Sequence, residues 1–261
     1  MSGPTPLLDF FKRGEVARDV RLLAAQGALG LRAHEQLAIL VLLIDDPDPA
    51  IGRTADDTLK RIPEAALRTF LARPDVAISL REFFGDRGVF PDEIPPILAI
   101  EDEDHPLIDT AAMEDPVEDT DGGKTSTLQQ LAAMSFTDRL KAAIRGSREV
   151  RAILIRDTNK MISAAVLSGP KVTPQEVEGF ARMTNVAEDV LRVIGNTRAW
   201  IKNYGVVLAL AKNPKTPIAL SLNLMARLHD RDLAALSVDR NVPDPLRVAA
   251  RRRVVASNTK K

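Results

Sequence analysis

The sequence predicts an all-α protein, and three observations carry that expectation. Aromatic residues make up 4% of the 261 residues while hydrophobic residues make up 45%, and sheets draw on aromatic and β-branched side chains. No segment sustains an apolar–polar alternation of period two, whereas apolar residues recur at i, i+3 and i+4. Helix-start signatures, a capping residue followed by proline, recur along the chain. The finer expectation is an α-solenoid of short antiparallel helix pairs, in two helical parts joined by an acidic linker.

Taken in order, residues 1–92 form the first helical part. Val16, Val20 and Leu23 make one stripe, and the apolar run Leu37 to Ile44 makes a central helix. That run is eight residues long, well short of the roughly 20 that a membrane span needs. Asp48-Pro49 pairs a cap with a proline at the first helical position. Residues 93–126 read as a flexible acidic linker. They hold Glu101-Asp102-Glu103-Asp104, Glu114-Asp115 and Glu118-Asp119, and like charges this dense repel while too few apolar neighbours offset the ordering entropy. Ile108, Met113 and Val117 are spaced apolar residues among these acids, the makings of a short docking motif.

Residues 127–261 form the second helical part. Val150, Ile153 and Leu154 share a stripe, as do Val190, Leu191, Val193 and Ile194. Val206 to Leu210 is apolar all round, the pattern of a helix buried between neighbours. Thr173-Pro174-Gln175-Glu176 has the full capping-box pattern. Thr216-Pro217 and Asp244-Pro245 repeat the cap–proline pair. Helices this short bury their faces only by stacking on neighbours.

A turn recurs between them. Asn185, Asn213 and Asn241 lie 28 residues apart twice, each after one apolar helix and before another. Leu71 to Val76 and Ile44 to Pro49 carry looser copies. Fixed spacing of helical units argues for stacked repeats. At Asn213-Pro214-Lys215-Thr216-Pro217 and Asp46-Pro47-Asp48-Pro49 the sequence resembles the bacterial HEAT-like and leucine-rich-repeat-variant families. The resemblance spans most of 127–256 and parts of 15–90. It implies a packed right-handed helical stack used for binding, with no shared catalytic residues.

Composition excludes several chemistries. The chain has no cysteine, which removes disulfides, thiolate metal sites and cysteine nucleophiles and fits a reducing compartment. The start Met1-Ser2-Gly3-Pro4 lacks the basic and apolar regions of a secretory signal. These features together predict a cytoplasmic protein with no membrane partner. Gly122-Gly123-Lys124-Thr125 mimics the end of a phosphate loop, but Glu118 stands where that loop needs its first glycine. His34, His105 and His229 are scattered, and His229-Asp230 reads as a helix start beside an exposed histidine. No catalytic cluster, metal site or cofactor site emerges, and the expectation is a protein that is not an enzyme and needs no cofactor.

Charge is zoned. Lys+Arg and Asp+Glu are 36 each, yet residues 1–100 carry net −3, residues 101–121 net −10 and residues 122–261 net +13. The basic candidates are Lys141, Arg145, Arg148, Arg151 and Arg156 on successive short helices, then Arg251, Arg252 and Arg253 near the end. A second group is Arg198, Trp200, Lys202 and Tyr204, which holds the only Trp and the only Tyr. Trp, Tyr and Arg dominate interface energetics. These residues point to a scaffold or adaptor that binds an acidic protein segment, with the chain's own linker as an autoinhibitory occupant. Nucleic acid is the alternative partner, since basic helical stacks also suit phosphates. Oligomeric state is left open by the sequence.

Overall fold

Apolar stripes at helical spacing mostly become helices, although Val16, expected on one stripe with Val20 and Leu23, lies in the bend before the helix that holds the other two. The computed structural model describes residues 5–93, 105–110 and 124–258, and among these there are seventeen helices and no strand. None of the helices among the described residues is long and apolar enough to cross a membrane. The chain forms two compact units, Met1–Leu154 with Met161–Lys171, and Ile155–Lys160 with Val172–Lys261. These units do not coincide with the expected division at 92 and 127. The first takes in residues from both sides of 93–126. Of that expected linker, 94–104 and 111–123 lie outside the described residues, including Met113 and Val117.

The first unit holds α1 (Leu8–Lys12), α2 (Arg18–Ala25), α3 (Ala33–Leu43), α4 (Pro49–Arg61), α5 (Glu64–Ala72), α6 (Ile78–Gly85), α7 (Lys124–Ala133), α8 (Phe136–Arg145) and α9 (Arg148–Leu154). It also holds α10 (Lys160–Ser168) from Met161 onward. The Leu37–Ile44 run is the body of α3, with Ile44 as its C-cap. α1, α2 and α4 pack on it, burying Val20, Leu37, Leu40 and Ile51 completely. At the start of α4, the Asp48 side chain accepts from the Ala50 N–H and Pro49 takes the first turn. This is the cap that the dipeptide predicts, because proline has no N–H to leave unsatisfied.

The first turn of α3 is polar and buried. Glu35 accepts from the N–H groups of Leu7 and Leu8 at 2.6 and 3.2 Å, which fixes α1. Arg32, the N-cap residue of α3, donates from Nε to the Gly169 carbonyl at 3.1 Å and from its backbone N–H to the Ser168 carbonyl at 3.4 Å. So the end of α10 is tied to the start of α3. Burial pushes the Glu35 carboxyl from 4.5 up to about 7, while the Ser168 hydroxyl, the two N–H groups and the Arg32 charge pull it back.

The second unit holds α11 (Pro174–Arg182), α12 (Glu188–Asn196), α13 (Arg198–Ile201), α14 (Tyr204–Lys212), α15 (Ile218–Met225), α16 (Asp230–Val238) and α17 (Asp244–Asn258). Thr173 and Glu176 form the expected capping box, with both reciprocal bonds made. The pairs α11/α12, α14/α15 and α16/α17 each join through five residues, beginning at Met183, Asn213 and Asp239. α5 and α6 of the first unit join the same way, beginning at Arg73.

The fourth residue of each turn is buried: Val76, Val186, Thr216 and Val242. In three of them its N–H returns to the first residue's carbonyl, at 3.1 to 3.3 Å. Thr216 is therefore a buried turn residue, and Pro217 is the N-cap of α15, one place earlier than the cap–proline pattern predicts. The 28-residue asparagine spacing also changes meaning. Asn213 is first in its turn, while Asn185 and Asn241 are third, so the turns themselves recur after 30 and then 26 residues. Asn213 is buried, and its amide donates to the carbonyls of Ala181 and Met183 at 2.8 and 2.9 Å. Its Oδ1 accepts from the Lys215 N–H at 3.0 Å. One side chain thus stitches the α14/α15 turn to the end of α11.

Two expectations follow. Removing the Asn213 amide leaves two carbonyls unpaired in a buried place, so Asn213→Ala should cost about 1–3 kcal/mol in urea unfolding. Asn213→Asp should cost more, because it turns a carboxylate toward those carbonyls. For Glu35, the folded-state value lies above the unfolded one. Its contribution is complete below about pH 4.5 and is lost as pH rises through about 7. The loss is at most ~3 kcal/mol. Glu35→Gln cannot ionise, so its thermal stability relative to the wild-type chain should rise between about pH 5 and about pH 8. A gap that stays constant across that interval would mean that Glu35 does not titrate there.

Candidate functional site

α2 ends in a way that leaves carbonyls facing outward. The Gly27 N–H returns to Ala24 and the Ala28 N–H to Leu23, both at 3.0 Å, the Schellman pattern of a helix stop. Gly27 and Gly30 both have positive φ, +72° and +69°, conformations that glycine adopts at no steric cost. The turn then presents the carbonyls of Gln26, Gly27, Ala28 and Leu29.

Two groups from elsewhere in the first unit satisfy them. Arg145, the last residue of α8, donates from Nη2 to the Ala28 carbonyl at 2.9 Å and from Nε to Leu29 at 3.3 Å. A cation is favoured at a helix C-terminus by the aligned peptide dipoles. A side chain at Gly30 would put its Cβ 2.8 Å from the Arg145 Nε, so this approach requires the bare backbone.

The second group is residues 105–110, the stretch His105-Pro106-Leu107-Ile108-Asp109-Thr110. The Thr110 N–H donates to Gly27 at 3.4 Å, and its hydroxyl donates to Gln26 at 3.0 Å. The Asp109 carboxylate pairs with Arg145, both side chains being 27% exposed. Gln36, in the buried first turn of α3, reads the backbone. Its Oε1 accepts from the N–H groups of Leu107 and Ile108 at 2.9 and 3.2 Å, and its amide donates to the Ile108 carbonyl. A Cβ on Gly27 would stand 3.1 Å from the Ile108 γ2 methyl. This part of the expected linker is packed against the fold, where Ile108 and the N–H groups of Leu107, Ile108 and Thr110 find partners.

The basic candidates divide by use. On α8, Lys141 and Arg145 share a face, and Arg145 is spent on the seat just described. On α9, Arg148 is exposed, while Arg151 is buried and caps the end of α8 through the Gly146 carbonyl at 2.7 Å. Arg156 is exposed in the turn before α10. Lys141, Arg145, Arg148 and Arg151 belong to the first unit and Arg156 to the second. On α17, Arg251, Arg252 and Arg253 are exposed, with Arg251 reaching the Ser237 carbonyl at 3.4 Å. Capping therefore accounts for Arg151, and in part for Arg145 and Arg251.

The aromatic group lies in the second unit. Trp200 on α13 is buried, Arg198 and Lys202 are exposed, and Tyr204 opens α14. The Tyr204 hydroxyl donates to Asp232 and accepts from the His229 N–H at 3.1 Å. The Tyr204 and His229 rings stack with centroids 4.4 Å apart. Partial burial, then the bond to Asp232, raises the Tyr204 hydroxyl above its ordinary value. This cluster locks α14 to the start of α16. His229 is exposed and precedes the helix that Asp230 opens, as the sequence predicts. His34 is buried in another unit against Phe70, ring centroids 6.1 Å apart. Among the described residues, no group of three or more His, Asp or Glu is arranged to hold a metal ion.

The residues that sequence reading missed are Gln36, Gly27 and Gly30. Two glycines within four residues before an apolar helix were the available signal, and Gln36 gave none. No family model, no curated protein and no solved structure matches this chain.

Proposed function

We propose that the chain is a non-enzymatic scaffold that binds an acidic protein segment through arginine-bearing helical surfaces, with its own acidic stretch as a competing occupant. The helix pairs joined by five-residue turns are the repeating units of an α-solenoid in this reading. The observation that supports it best is the Asp109–Arg145 pair at the end of α2. There one guanidinium bridges helix-end carbonyls and a carboxylate, and charge-assisted bonds of this kind are shorter and stronger than neutral ones. Gln36 adds recognition of a bent backbone through two successive N–H groups, which is indifferent to side chains.

The test replaces residues 101–121 with a Gly/Ser stretch of equal length and adds a synthetic peptide of residues 101–121 in trans. The replaced chain should bind that peptide at least about tenfold more tightly than the wild-type chain, because a tethered occupant competes at millimolar effective concentration. Arg145→Ala in the replaced chain should remove most of the gain. Unchanged peptide affinity after replacement would sink the proposal. Duplex DNA at two salt concentrations is the comparison. Tight DNA binding that collapses with salt, without peptide binding, would favour phosphate as the ligand.

A further inference from the structure

The seat at the end of α2 discriminates more finely than charge alone. Its partners along residues 107–110 differ at each position. At Leu107 the backbone N–H is engaged by Gln36 and the apolar side chain is half-buried. At Ile108 the backbone is held on both sides by the same amide, while the γ2 methyl lies over Gly27 with the Thr58 methyl close by. Any side chain at position 27 would occupy that space. At Asp109 the carboxylate meets Arg145. At Thr110 two donors, the N–H and the hydroxyl, meet two carbonyls of the same helix end. A hydroxyl suits that exposed place because it can donate to the Gln26 carbonyl, which a carboxylate or an apolar group cannot.

We infer that this seat is a recognition site for short peptides, bent at the first position, of the pattern apolar, β-branched apolar, Asp, then Thr or Ser. Leu107–Thr110 is its resident copy, and the partner is a protein segment carrying the same pattern. The inference rests on the acidic-segment reading above and narrows it from charge to sequence. Surrounding acids add attraction, but the four positions choose. Backbone capture supplies affinity and the side-chain places supply selectivity.

The experiment uses the full chain with its resident weakened by Asp109→Asn and Thr110→Ala, and in a second protein by Ile108→Ser alone. Circular dichroism identifies those that keep the helical content of the wild-type chain. Three fluorescent peptides are titrated: His-Pro-Leu-Ile-Asp-Thr, the same peptide with Asn for Asp, and a peptide of residues 111–121, which is more acidic and has Glu118 where the pattern needs a β-branched apolar residue before its own Asp119-Thr120. Either weakened chain should bind the first peptide at least about tenfold more tightly than the wild-type chain does. The other two peptides should bind about tenfold less well than the first.

If the 111–121 peptide binds as tightly as the first, the pattern is overturned and the broader acidic-segment reading survives. If neither acidic peptide binds a weakened, folded chain, both fall. If neither weakened chain folds, residues 107–110 are structural cement and the inference is overturned. If the wild-type chain self-associates with rising concentration and the weakened chains do not, the occupant is a second copy of this chain, and the heterologous partner is overturned.

Discussion

The first unit is organised by three commitments within five residues at the start of α3. Arg32 holds the end of α10, Glu35 holds the start of α1, and Gln36 holds residues 107 and 108. Helix starts have N–H groups to satisfy, and a polar first turn is ordinary at a surface. Here Glu35 and Gln36 are buried, so their hydrogen-bonding demand has to be met by protein. Segments far apart in sequence meet it at Glu35 Oε1 and at Gln36, separated by 28 residues in one case and 71 in another, while Glu35 Oε2 has no hydrogen-bond partner among the described residues. An unmet buried acceptor is costly, while a made hydrogen bond contributes little net stability. The polar turn therefore acts more on which segments assemble there than on how tightly the unit holds.

Much of this was legible one segment at a time. The α3 body, the Asp48-Pro49 start and the Thr173 capping box are local codes, written within a few residues and kept by the structure. So was the all-helical class. What was not legible was pairing at a distance. Nothing around Gln36 announces that its amide will face Ile108, and nothing in Arg145 distinguishes it from Lys141 beside it. The asparagine spacing shows the opposite failure. It was regular in sequence, yet Asn185, Asn213 and Asn241 take two different turn positions, because the joining segments vary in length around a fixed five-residue turn. The repeating thing is a backbone geometry with one buried residue, which Val, Val, Thr and Val all satisfy.

The zoned charge is also reshaped. An excess of basic residues in the second half suggested an open cationic surface. Several of those arginines instead finish helices: Arg151 at α8, Arg251 at α16 and Arg145 at α2. A guanidinium suits this role because its planar fork reaches two carbonyls together, which an ammonium does not. Asp109 then adds to a cation already held in place, so little side-chain entropy remains to be lost when the carboxylate arrives. Arg145 is in this sense a pre-positioned donor for the Asp109 carboxylate.

The placement of Trp200 and Tyr204 gives the molecule an uneven optical voice. The only Trp and the only Tyr stand four positions apart, both in the second unit. Trp200 is 4% exposed, so its emission shifts when that unit opens. The first unit, with phenylalanine as its aromatic residue, is nearly silent at those wavelengths while contributing more than half the helix. Emission therefore follows one unit and backbone circular dichroism follows both. Two units that unfold together give one curve by either probe, and two that part company give curves that separate.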